Sequence, residues 1–286
     1  MQKAFDVSGP VSLEVRLTSG EIEVEALAGT TRAEVELVAH DEDSEQLVSE
    51  ARVELEGHRL IVDAPLRRGG GFNLAGLFSG RRGVTCRVRV PESSPLRVRT
   101  KSADVTAHGT LGGVDVATAS GDVDVQAVGG GLSVKSASGD VSARSVDGTT
   151  SVQTASGDVS IGTARGAITV STASGDVTVD AADGDVTVNT VSGDQQHGAV
   201  LRGSVATHSV SGDLQIGVRR GSKVYLDCNT VSGDTSSELE LTPDAPGGDG
   251  PLVEIRAKTV SGDIRITRAP APSTADPTND SQEVHA

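Results

Sequence analysis

In 286 residues, 25 Lys and Arg against 40 Asp and Glu leave a net charge of −15, and the aromatic set is three Phe, one Tyr and no Trp. A phosphate backbone is gripped by a basic surface, and single strands or sugars by aromatic faces, so nucleic-acid partners and aromatic-platform sugar sites are excluded. Thirty-five glycines with 36% hydrophobic residues describe a folded chain whose core must be Val, Ala, Leu and Ile.

The opening MQKAFDVSGP has one lysine, no apolar run and no small-residue cleavage site, so no signal peptide is expected. No stretch approaches the ~18 apolar residues of a membrane span. Cys86 and Cys228 are too few for a disulfide framework and lack a CxxC spacing. Two thiols in a reducing cytoplasm are the expectation, with one long-range bridge as the alternative.

Residues 1–101 are expected to form an N-terminal β-rich cap. Ser19-Gly20-Glu21-Ile22-Glu23-Val24, with Leu27 and Gly29, is a degraded copy of a unit that repeats further along. DEDSEQLVSEA (41–51) reads as a short helix, and 51–56 with 59–63 as a hairpin around Gly57-His58. The stretch RRGGGFNLAGLFSGRRG (67–83) sets Phe72, Leu74, Leu77 and Phe78 between Arg67, Arg68, Arg81 and Arg82 in an otherwise acidic protein. Its apolar residues either tuck against the cap or touch a partner, since exposed apolar groups with basic flanks suit anionic surfaces. Phe72, Leu74, Leu77, Phe78, Arg81 and Arg82 are therefore the candidate contacts for a protein or envelope-surface partner, and a face of the repeat region is the other candidate.

From residue 102 the chain is periodic. Ser-Gly-Asp recurs at Ser120, Ser138, Ser156, Ser174 and Ser192 in steps of eighteen, Ser102-Ala103-Asp104 precedes them by the same step, and later copies begin at Ser211, Ser232 and Ser261. Counting Ser174 as zero, apolar Val177, Val179 and Ala182 sit at offsets 3, 5 and 8, and Val186, Val188 and Val191 at 12, 14 and 17. Two nonapeptides thus make one unit, and the alternation within each is that of a strand with one buried face. A hexapeptide helix would need an apolar residue at offset 11, where Gly131, Thr149, Ala167 and Asp185 stand. An antiparallel meander stays open, but Ser-Gly-Asp marks only alternate nonapeptides, which suits a two-arm coil whose like corners stack. The fold class expected is all-β: a parallel β-solenoid of 18-residue coils over 102–268, with the capping region containing one short helix. Six inward side chains per coil, at the offsets above, would build a core too narrow for aromatics.

At the corner, Asp104, Asp122, Asp140, Asp158, Asp176, Asp194, Asp213, Asp234 and Asp263 form a column about 4.8 Å apart. Turn capping explains such residues; calcium bridging by Asp122, Asp140, Asp158, Asp176 and Asp194 is the sharper alternative, though the GGxGxD nonapeptide of calcium-binding rolls is absent. A hydroxyl row (Thr118, Ser136, Thr154, Thr172, Thr190) runs two residues earlier and would suit an ice-binding face if it lay on a flat exterior. TPDAPGGDGP (242–251) reads as a projecting loop, and 269–286 is too polar to fold.

The six His are scattered, and no GxSxG, HExxH or Walker loop appears. No cofactor is expected. The one enzymatic alternative, a hydrolase at the cap, requires His40, His58 and His108 to converge.

TASGDVSIGTARGAITVSTASGDVTV (154–179) and VRVPESSPLRVRTKSADV (88–105) resemble the bacterial putative-adhesin family of β-strand-repeat proteins over about residues 5–268. The resemblance implies a β-solenoid-like fold, no assigned enzymatic activity, a binding or scaffold role, and in some members a link to cell-envelope stress.

Overall fold

The computed structural model describes residues 1–64, 83–239 and 250–269. Phe72, Leu74, Leu77, Phe78, Arg81 and Arg82 lie outside them, as does the chain beyond Ala269. The described residues are all-β apart from one helix, Glu42–Glu50.

Strands stack in two columns. In one, Val123–Val128, Val141–Val146, Val159–Ala164 and Val177–Asp183 pair in parallel, with Val141 facing Val159 and Val159 facing Val177. In the other, Val114–Ala117, Leu132–Lys135, Thr150–Ser156, Ile168–Ser174 and Val186–Ser192 do the same. Every one of these pairs joins residues eighteen apart in sequence, so chemically equivalent side chains lie over one another. Between the columns lies a single apolar core that runs from Val11 to Ile266. Val, Ile, Leu and Ala fill most of it, because two sheets joined by tight corners leave little room for large rings.

The alternation places offsets 3, 5, 8, 12 and 14 inside, but not 17. Val191 is 54% exposed, and the sixth inward residue is the Thr at offset 16, as in Thr154, Thr172 and Thr190. A strand that alternates from 12 and 14 must next turn 16 inward, so the corner begins one residue later than the spacing of valines suggests. The Thr hydroxyl has a task there. In two of these three layers it donates to the corner carbonyl two residues on, Thr154 to Ser156 at 2.8 Å and Thr172 to Ser174 at 3.1 Å, whereas the Thr190 hydroxyl is buried without a partner. The hydroxyl row is therefore interior and offers no ice-binding face.

At the Ser-Gly-Asp corner the glycine is required twice over. Gly157 has φ +121°, and a Cβ on it would lie 2.3 Å from the carbonyl oxygen of Gly139 in the layer below.

Both ends depart from chain order. Near the C-terminus, Leu252–Ser261 lies between residues 203–208 and Lys223–Ser232, and Ile264–Arg268 lies between Leu214–Val218 and Thr235–Ser237. The final strands of the described chain are thus second from the end, and Lys223–Ser232 with Thr235–Ser237 is the outermost layer. The N-terminal end repeats the device. Ser12–Leu27 is sandwiched between an outer layer, Arg59–Ala64 with Val84–Pro91, and the inner strand Leu96–Leu111.

Beyond that outer N-terminal layer the strands turn antiparallel: Arg52–Glu56 on Arg59–Ala64, Arg32–Val38 on Val84–Pro91, and Gln2–Asp6 on Arg32–Val38. The helix Glu42–Glu50 closes this end, started by Asp41, whose side chain accepts from the Ser44 N–H at 2.7 Å while the Ser44 hydroxyl accepts from the Asp41 N–H.

Candidate interaction surface

The nine aspartates of the corner form one continuous ladder. Each backbone N–H after the first donates to Oδ1 of the aspartate in the preceding layer at 2.8–3.1 Å, in the spatial order Asp104, Asp122, Asp140, Asp158, Asp176, Asp194, Asp213, Asp263, Asp234. One oxygen of each carboxylate below the last is engaged this way, and all nine aspartates are exposed except the half-buried Asp104. Among the described residues no group of three or more His, Cys, Asp or Glu side chains is arranged to hold a metal ion.

Directly across the Ser-Gly of the same corner runs an apolar row. Ser174, Ser192, Ser211, Ser261 and Ser232 stack in that order, so the residues before them, Ala173, Val191, Val210, Val260 and Val231, stack as well. The four valines are 54%, 50%, 49% and 80% exposed. Apart from Met1, every exposed large apolar side chain among the described residues lies within 191–260. The corner is therefore an amphipathic ridge, carboxylates on one flank and valines on the other, with its apolar part confined to the C-terminal layers. The valine spacing in the sequence hid it, because offset 17 reads as core until the alternation from 12 and 14 is carried one step further.

On the outer faces near the N-terminus the arginines are committed to acids. Glu14, 5% exposed, accepts from both Arg16 and Arg59, and the Arg59 hydrogen bond holds its carboxyl below the usual range against the opposing effect of burial. Asp115 is held low chiefly by the Arg99 hydrogen bond. On the other column Arg87 bonds Glu23 at 2.7 Å and Arg89 bonds Glu25 at 2.9 Å, within a groove of about 440 Å³ that His108 also lines.

His40 and His58 are elsewhere. His40 Nε2 lies 2.8 Å from the Thr85 hydroxyl beside the helix, and His58 sits in the hairpin turn, where its carbonyl accepts from the Ser12 N–H. The three do not line one site, so the cap supplies no clustered histidines for a hydrolase.

One layer of the core is polar. Gln195 and His197 occupy offsets 3 and 5, where neighbouring layers carry Val177 and Val179 below and Leu214 and Ile216 above. Gln195 accepts from the Thr207 hydroxyl across the core, and neither ring nitrogen of the buried His197 has a partner. Burial pushes the His197 pKa down to about 4. QQHGAV in place of a VxVxxA pattern was the sequence signal for this layer. Cys86, buried beneath Arg32–Val38 at the N-terminal end, and Cys228, in the outermost C-terminal layer, are both free thiols at opposite ends, which removes the long-range bridge.

The described residues thus form a stacked, largely parallel, all-β repeat with an exposed corner. The Toastrack DUF4097 family model matches residues 11–267, and the chain belongs to that family, the one its Ser-Gly-Asp units resemble. No curated protein matches it. Similar solved structures include a putative adhesin from Bacteroides fragilis, 16% identical over 93% of this chain and 96% of that one, with a TM-score of 0.48. A putative adhesin from Parabacteroides distasonis is 13% identical over 93% and 96%, with a TM-score of 0.45. A putative lipid binding protein from the same species is 15% identical over 93% and 97%, with a TM-score of 0.41. Likeness at this level carries no residue role across.

Proposed function

We propose that the chain is a parallel β-solenoid of 18-residue coils that works as a non-enzymatic, adhesin-like binding or scaffold module. The observation that carries this reading is the row Val191, Val210, Val260 and Val231, exposed in four consecutive layers. Isolated surface valines need no explanation, whereas a contiguous apolar row on an acidic protein marks a contact surface. The carboxylate ladder beside it gives register and charge selectivity, favouring a protein or envelope-surface partner with an apolar strip flanked by basic groups. A cytoplasmic location facing the envelope is part of the proposal and is supported by the two free thiols.

The test compares the parent with a Val191→Ser, Val210→Ser, Val260→Ser variant in affinity capture from a bacterial envelope extract. Recovery of a defined protein by the parent and its loss in the equally folded variant supports the ridge. Identical recovery by both overturns it.

A further inference from the structure

The two ends of the stack are finished differently. The N-terminal end carries antiparallel strands and a helix, and its outer strands bear Lys3, Asp6, Arg52, Glu54 and Glu56, charges of the kind that discourage edge pairing. At the C-terminal end, Lys223–Ser232 pairs only with Leu252–Ser261, and Thr235–Ser237 only with Ile264–Arg268. No described strand meets their other edges. Val224, Leu226 and Cys228 are only half-buried there, while Val253, Ile255 and Ala257, their equivalents one layer in, are fully buried. Among the described residues Gln2–Asp6 and Arg52–Glu56 also have one unpaired edge each, with Phe5 and Leu55 half-buried, but only at the C-terminal end does an edge strand leave three successive inward residues half-buried.

We propose that this end binds a second copy of the chain, tail to tail, through antiparallel pairing of Lys223–Ser232 with itself. Three observations choose that occupant. The unpaired N-terminal edge strands, Gln2–Asp6 and Arg52–Glu56, are short and charged, so head-to-tail growth has a poor acceptor and an isologous contact, closing at two copies about a two-fold axis, is favoured. Among the described residues, the stretch 219–239 that forms this end is also electroneutral within a protein of charge −15: Arg219, Arg220 and Lys223 balance Asp227, Asp234 and Glu238. Two such ends meet without stacking the net charge at the contact.

The third observation is the register. Residues 224, 226 and 228 face the core, so pairing must match even with even positions. A two-fold axis at Tyr225 sets Val224 against Leu226 and Lys223 against Asp227 of the second copy, in two symmetric opposite-charge pairs. An axis at Asp227 would oppose two carboxylates instead. In the favoured register both cores become continuous and the open backbone groups are satisfied.

Sedimentation velocity on the full chain, raised to about 100 μM, reads the outcome. The expected result is a concentration-dependent species of twice the 29.0 kDa chain mass. Tyr225→Lys tests the register without disturbing the fold, because Tyr225 is 56% exposed and outward; it places two lysines at the axis and should weaken the dimer at least about tenfold. Leu226→Lys, checked for an unchanged circular dichroism spectrum, should abolish it by turning a charge inward. A parent that stays monomeric throughout, or a dimer indifferent to both substitutions, overturns the proposal and leaves the open end to another segment of the chain or to a different protein.

Discussion

The backbone N–H of Asp263 donates to Oδ1 of Asp213 at 2.8 Å across fifty residues of sequence. The same bond joins Asp176 to Asp158 across eighteen. The corner therefore treats layers as interchangeable parts, each aspartate serving whichever layer is laid on it.

Replacing one rung separates its two effects. Asp158→Asn keeps an oxygen acceptor for the Asp176 N–H and removes a charge from a column where neighbours about 4.8 Å apart repel by nearly 1 kcal/mol in unscreened water. It should be stabilising at low salt, with the gain fading by about 0.5 M as screening takes over. Asp158→Ala loses the acceptor and should lie below Asp158→Asn by about 1 kcal/mol at every salt concentration. Urea titrations at two ionic strengths would show whether the Asn and Ala curves keep that gap.

Calcium should not matter to this column. With Oδ1 of each rung turned to backbone, one further oxygen per carboxylate remains, short of the six to eight ligands calcium takes. Melting in EDTA and in millimolar calcium should coincide; a rise with calcium would assign Asp122, Asp140, Asp158, Asp176 and Asp194 to a cation.

Val177 is 0% exposed and flanked by Val159 and Gln195 in adjoining layers. Val177→Asp buries an unpaired carboxylate and should cost more than ~3 kcal/mol, whereas Gln153→Asp on the exposed face should change stability by less than ~0.5 kcal/mol. Equal melting temperatures for the two variants would be incompatible with the inside and outside faces described above.

His197 should make the protein acid-sensitive. Its folded pKa of about 4 lies below the ordinary 6.5, so between these values the unfolded chain binds the proton first and stability falls as the pH falls. Above pH 6.5 the effect is absent, and below about 4 it is complete, at roughly 3 kcal/mol. His197→Val should flatten that part of the acid limb and raise stability at pH 7 by removing two buried, unpartnered nitrogens. Denaturant midpoints at pH 7 and pH 5 decide it, and an unchanged difference between them would rule this origin out.

Two glycines with positive φ should respond differently to alanine. Gly29 (φ +71°) has open space where a Cβ would go, so Gly29→Ala should cost about 1 kcal/mol of backbone strain. Gly157→Ala adds a collision with the Gly139 carbonyl and should cost at least ~2 kcal/mol more. Thermal melts of the pair give the comparison.

Much of this architecture is written in the repeat. The eighteen-residue step, the inward Val and Ile positions and the glycine at the corner are local consequences of alternation and turn chemistry, and they are legible without coordinates. Val191 was misplaced because spacing between valines is a weaker guide than alternation once a hydroxyl can serve as core. The order of the end layers is not legible at all. Strands such as Lys223–Ser232 and Leu252–Ser261 carry the same corner sequence, so nothing local says which lies outside. Its clue is that one has fully buried inward residues and the other does not, which is a property of the stack.

The out-of-order ending also governs how the molecule yields to force. A repeat stack ordinarily frays from its last unit. Here a pull on the C-terminal side loads Ile264–Arg268, which is bonded along both edges, to Leu214–Val218 and to Thr235–Ser237. That strand cannot be peeled off singly; it must be sheared from two neighbours at once, so the chain end is fastened as by a buckle. A protein tethered through this end would hold its shape under tension that unravels a sequential stack.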